Sequence, residues 1–73
     1  MNYFGKNLKF LTKTRINQNQ LSKLLGITRS TVNLMMKVDD PRASTLIKIS
    51  DIYNVSIDDL LRKDLEIEFM ENK

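Results

Sequence analysis

Seventy-three residues, 41% hydrophobic and 29% charged, make one small domain with room for a single core and too little chain for a large catalytic cleft. The absence of both cysteine and histidine excludes a disulfide framework and a thiolate metal site, and removes the commonest zinc ligand and the commonest general base. The net charge of +3 is unevenly spread: residues 1–38 carry seven bases (Lys6, Lys9, Lys13, Arg15, Lys23, Arg29 and Lys37) and no acid, while residues 39–73 carry nine acids against five bases. A half-domain that is purely cationic suits a polyanion, of which nucleic acid is the usual one.

In chain order, Phe4, Leu8 and Leu11 recur at helical spacing and predict a first helix over residues 2–13. Gly5 is expected to weaken its first turn by about 1 kcal/mol relative to alanine. Asn17 stands three residues before Gln20, a capping-box pair that opens a second helix through Leu25. Gly26 supplies the left-handed stop, and Thr28 caps a third helix over residues 29–37. Helix, glycine turn and capped helix are the outline of a helix-turn-helix. Asp40-Pro41 reads as N-cap and first residue of a fourth helix carrying Leu46, Ile49, Ile52 and Tyr53. Ser56 stands three before Asp59, and a fifth helix is expected to run to about Lys63. The tail Leu65-Glu66-Ile67-Glu68-Phe69 alternates like a strand, yet Leu65 and Phe69 are also one helical turn apart, so its local structure stays open.

The run Gln18-Asn19-Gln20-Leu21-Ser22-Lys23-Leu24-Leu25-Gly26-Ile27-Thr28-Arg29-Ser30-Thr31-Val32 resembles the helix-turn-helix of the phage repressor and Cro family, also called the xenobiotic-response-element type. The later run from Pro41 through Leu46, Ile49 and Tyr53 to Val55-Ser56-Ile57-Asp58-Asp59-Leu60-Leu61 is similar to that family's closing helices. The resemblance spans about Phe4 to Leu61 and implies an all-α, five-helix lambda-repressor-like DNA-binding domain over residues 1–63, followed by a short C-terminal extension over residues 64–73. Where family members commonly close the recognition helix with an acid and a glycine, this chain has Met36 and Val38. The acids Asp39 and Asp40 fall near the family's approach to phosphates.

The residues themselves divide the third helix into two faces: Val32, Met35 and Met36 form an apolar side, and Arg29, Ser30, Asn33 and Lys37 a polar side with one exposed leucine, Leu34. The polar side is the one to enter the major groove. Arg29 has the fork that matches guanine, Ser30 and Asn33 donate and accept toward base edges, and the matching family positions of Thr28, Arg29, Ser30 and Leu34 face bases. Leu34 is thereby expected against a thymine methyl. Asn17 and Gln18 are expected on a phosphate at the start of the second helix. Lys37 and Arg42 match further backbone-contacting positions of the family, and Lys6, Lys9 and Lys13 are expected to add field more than specific bonds.

One helix-turn-helix reaches one half-site, so a homodimer on a palindromic operator in double-stranded DNA is expected. Leu65, Ile67 and Phe69 are the candidate dimerisation residues, as paired strands or as a helix against the partner's fifth helix. Folding back on the chain's own core is the alternative. The carboxylate pairs Asp39-Asp40 and Asp58-Asp59 are accounted for by helix starts, so no catalysis, metal or cofactor is expected. No apolar run approaches the roughly 18 residues of a membrane span, and no secretion signal opens the chain, so a cytoplasmic location is expected. The functional reading is a regulator, a repressor by operator occupancy. The rival keeps the fold but works as an antitoxin-like or accessory module whose main partner is another protein held by the acidic half.

Overall fold

The computed structural model describes residues 2–38 and 40–71. Among these the chain forms six helices: α1 (Phe4–Thr14), α2 (Gln18–Leu25), α3 (Arg29–Met35), α4 (Ala43–Tyr53), α5 (Ile57–Arg62) and α6 (Leu65–Glu71). Local chemistry sets several of their ends. The Gln20 amide donates to Asn17 Oδ1 at 2.9 Å while the Asn17 amide donates to Gln20 Oε1 at 3.3 Å, the reciprocal box that opens α2. Gly26 ends α2 at φ 71°, in the left-handed region where a side chain would be strained. Thr28 and Ser56 then cap α3 and α5 by accepting from Thr31 and Asp59 amides.

Three boundaries differ from the sequence reading. α1 begins at Phe4, not at residue 2, and its first amide is met by the Asn2 side chain at 2.9 Å. α3 ends at Met35, and Met36 and Lys37 form a turn closed by amides that bond back only three residues, Lys37 to Leu34 at 3.0 Å and Val38 to Met35 at 3.4 Å. α4 begins at Ala43 with an extended Arg42 as N-cap, so Asp40 is not its cap and Pro41 is not its first residue. Pro41 instead lines a hollow with Phe4, Met35 and Thr45. Packing of the α3–α4 connection there outweighs the local preference of proline for a helix start. Asp39 lies outside the described residues.

The core is drawn from every helix but the last: Phe4, Leu8 and Leu11 of α1, Leu21 of α2, Val32 of α3, Ile49 and Tyr53 of α4, and Leu60 of α5 are all buried, with Met36 beside them. Tyr53 is fully enclosed. Its hydroxyl donates to the Ile16 carbonyl at 2.8 Å, and Arg15 donates to the Tyr53 carbonyl at 2.6 Å, so the end of α4 is tied to the connection that carries Asn17. Burial pushes the Tyr53 phenol up to about 12, with Arg15 pulling the other way.

α1 is held on both flanks. Gly5 lies against the end of α3, where a β-carbon would stand 2.2 Å from the Met36 carbonyl oxygen; a close approach requires glycine there, whatever its effect on the first turn. Two residues on, the buried Asn7 amide donates to the carbonyls of Leu60 (2.8 Å) and Lys63 (2.7 Å), and its oxygen accepts from the Leu65 amide at 3.0 Å. One side chain thus satisfies the end of α5 and the start of α6.

The tail is helical. Asp64 caps α6 by accepting from the Ile67 amide at 3.3 Å and forms an ion pair with Lys6. Leu65 packs against the core, and the Phe69 ring meets Phe10 at a centroid distance of 5.7 Å. The outer face of α6 leaves Ile67 and Met70 49% and 66% exposed.

Candidate nucleic-acid interface

α2 and α3 meet across the Gly26 turn, where the Ile27 amide donates to the Ser22 carbonyl at 3.0 Å. Ser22 is buried; its small side chain bonds the Asn19 carbonyl at 2.7 Å and lets the next helix approach. Val32 and Met36 anchor the apolar side of α3 in the core, with Met35 half-buried beside them. The opposite side carries Arg29, Ser30 and Asn33 in solvent, and Leu34 is 60% exposed. The two faces read from the sequence are therefore the two faces of the folded helix. Thr28 is exposed at the cap, and its hydroxyl lies 2.9 Å from that of Thr31, so its oxygen serves the helix start while its edge stays open to solvent.

The start of α3 is tied to the start of α2. Arg29 Nε donates to Gln18 Oε1 at 3.4 Å. That bond occupies the inner nitrogen of the guanidinium and leaves the two terminal nitrogens, the pair that matches the O6 and N7 of guanine. A cleft of about 350 Å³ opens beside this pair, lined by Lys9, Thr12 and Lys13 of α1, by Asn17, Gln18 and Asn19, and by Arg29. Lys37 and Arg42 lie in solvent beyond the other end of α3. The candidate phosphate contacts therefore bracket a helix about 10 Å long, close to the roughly 12 Å width of a major groove.

The three lysines of α1, alike in the sequence, have different surroundings. Lys6 is on the tail side, bonded to Asp64. The bond raises the Lys6 pKa and holds the Asp64 carboxyl below the usual carboxylate range, with the Ile67 amide helping the latter. Lys9 and Lys13 turn to the cleft. Their spacing with Thr12 on one helix face was the available signal, but only the fold shows that this face meets the start of α2. Leu65 and Phe69 lie against α1, and Ile67 stands apart from them on the outer face of α6.

A capped helix with a buried apolar side and an open polar side, set across a glycine turn from a second helix, defines a helix-turn-helix DNA-binding domain. The family described as the Cro/C1-type HTH DNA-binding domain matches residues 8–64, and this chain belongs to it. Comparison with curated proteins and with solved structures gave no match. Among the described residues no helix is long and apolar enough to cross a membrane.

Proposed function

We propose that the protein is a transcription regulator that represses by occupying a palindromic operator as a homodimer. The observation that carries this reading is the exposed side of α3, where Arg29, Ser30, Asn33 and Leu34 face solvent while Val32 and Met36 fix the helix in the core. Arg29 forks onto a guanine, Ser30 and Asn33 meet base edges, Leu34 packs on a thymine methyl, and Thr28 stands at the groove edge. Asn17 and Gln18 at one end of α3, and Lys37 and Arg42 at the other, hold phosphates and set the register.

Dimerisation is assigned to the extension. Ile67 and Met70, with the open edge of Phe69, give the outer face of α6 an apolar ridge, while Leu65 and the remainder of Phe69 serve to hold α6 on α1. An isologous contact along that ridge brings a second recognition helix to the second half-site. Selection from a random pool of duplex DNA tests the whole proposal. It should return two inverted half-sites about one helical turn, roughly 34 Å, apart. Enrichment of a lone half-site would remove the dimer, and no enrichment would remove sequence-specific regulation.

A further inference from the structure

We infer that Lys9 and Lys13 of α1 are direct ligands of the DNA backbone, seating a phosphate together with the start of α2, and that Lys6 is not. The inference rests on the DNA-binding reading and adds to it a phosphate seat built by α1. The lining of the cleft carries it. Lys9, Lys13 and Arg29 bring three positive charges to one concave surface, the other lining residues are neutral and polar, and no acid is among them. Every lining side chain is one that donates hydrogen bonds. A concave surface lined by three cations and by neutral side chains able to donate, with no acid, concentrates positive potential and accepts an anion.

The position of the cleft says which anion. Its wall includes Arg29, the first residue of α3, and the N-terminal residues of a recognition helix are those that meet base edges. With Arg29 at the groove, the strand bordering that groove passes the start of α2, and α1 supplies the far wall. Lys9 and Lys13 are exposed, one helical turn apart on the same face of α1, and neither has an acid partner among the ion pairs of the described residues. Lys6 differs on each count: it lies outside the cleft and its ammonium is committed to Asp64. A charge already neutralised within the protein releases no counterion when DNA arrives.

The test uses the full chain and a duplex of arbitrary sequence, because a phosphate contact does not depend on bases. Affinity is measured against salt for the wild type, for Lys9→Gln with Lys13→Gln, for the same positions changed to arginine, and for Lys6→Gln. Each phosphate lost should reduce the slope of log affinity on log salt by about 0.9. The glutamine pair should lose about 0.9 if both lysines share one phosphate and about 1.8 if each holds its own, the arginine pair should keep the wild-type slope, and Lys6→Gln should leave it unchanged. A glutamine pair with the wild-type slope, or Lys6→Gln losing as much, overturns the assignment. A wild type whose binding ignores salt would instead overturn DNA binding itself, and the seat with it.

Discussion

Gly5 and Met36 meet at the point where α1 crosses the end of α3, so close that a methyl group on Gly5 would stand 2.2 Å from the Met36 carbonyl oxygen. The obstacle is backbone, which does not swing aside as a side chain does. Alanine gains about 1 kcal/mol in helix propensity over glycine, but overpacking of a tight contact costs typically 1–3 kcal/mol and rises when backbone must shift. Gly5→Ala should therefore destabilise the fold, by up to about 2 kcal/mol net in urea unfolding. A variant more stable than wild type would show that α1 and α3 separate at little cost.

Asn7 joins α1 by hydrogen bonds to both the end of α5 and the start of α6. Asn7→Ala leaves the Leu60 and Lys63 carbonyls and the Leu65 amide without that partner, and a buried polar group so stranded costs about 1–3 kcal/mol. Stability should fall by roughly 2–3 kcal/mol. Amide exchange should quicken most in α6, and uniform quickening across the chain would deny the tail its dependence on Asn7.

Acid should loosen α6 in a defined window. The Lys6 bond, with the Ile67 amide, lowers the Asp64 pKa, so its contribution is complete above the unfolded value of about 3.9 and is lost as pH falls through the lower folded value. Lys6, whose pKa is raised, contributes below its unfolded value of about 10.4 and loses that contribution as pH rises through the folded one. The contact between the Phe10 and Phe69 rings, followed by NMR cross-peaks, should persist between those limits and weaken beyond them. Asp64→Asn should weaken it at neutral pH, and an unaltered contact in that variant would assign the docking of α6 to its apolar residues alone.

Arg29 and Lys37 should separate by kind of readout. Arg29→Ala should lose about 1–3 kcal/mol on the preferred site and flatten discrimination at one base pair, whereas Lys37→Ala should weaken all sequences alike. Equal, sequence-independent losses from both would reassign Arg29 to the backbone. Gln18→Ala should reproduce part of the Arg29 loss, because it frees the guanidinium that Gln18 holds at 3.4 Å.

The two faces of α6 make opposite predictions. Ile67→Glu with Met70→Glu alters only exposed positions and should leave the melting temperature close to wild type while abolishing dimers in sedimentation. Leu65→Ala, on the packed face, should lower monomer stability by about 2 kcal/mol, the low end of the range for a buried leucine because the site is only partly buried. Dimers that survive the double change would place the two-fold contact elsewhere.

Local chemistry in the sequence determined the helix-turn-helix, and the structure preserves it because each device closes within a few residues: the Asn17–Gln20 box, the left-handed Gly26, the Thr28 and Ser56 caps, and the alternation that buries Val32 and Met36 and exposes Ser30, Asn33 and Leu34. A cap or a glycine turn involves bonds within one or two helical turns, so residue type and spacing are enough to specify it. Tertiary structure decided what depends on partners far along the chain. Lys6, Lys9 and Lys13 follow one periodic pattern, and only the docking of Asp64 beside one and the start of α2 beside the others divides them. The roles of Gly5 and Asn7 are set by backbone atoms of Met36, Leu60, Lys63 and Leu65. Pro41 has a strong local preference for a first helical turn, yet the hollow beside Phe4 and Met35 keeps it in the connection. The tail, whose alternation and helical spacing were balanced, became a helix once Asp64 capped it and Leu65 found the core, because packing free energy from another element decides where local preferences are nearly equal.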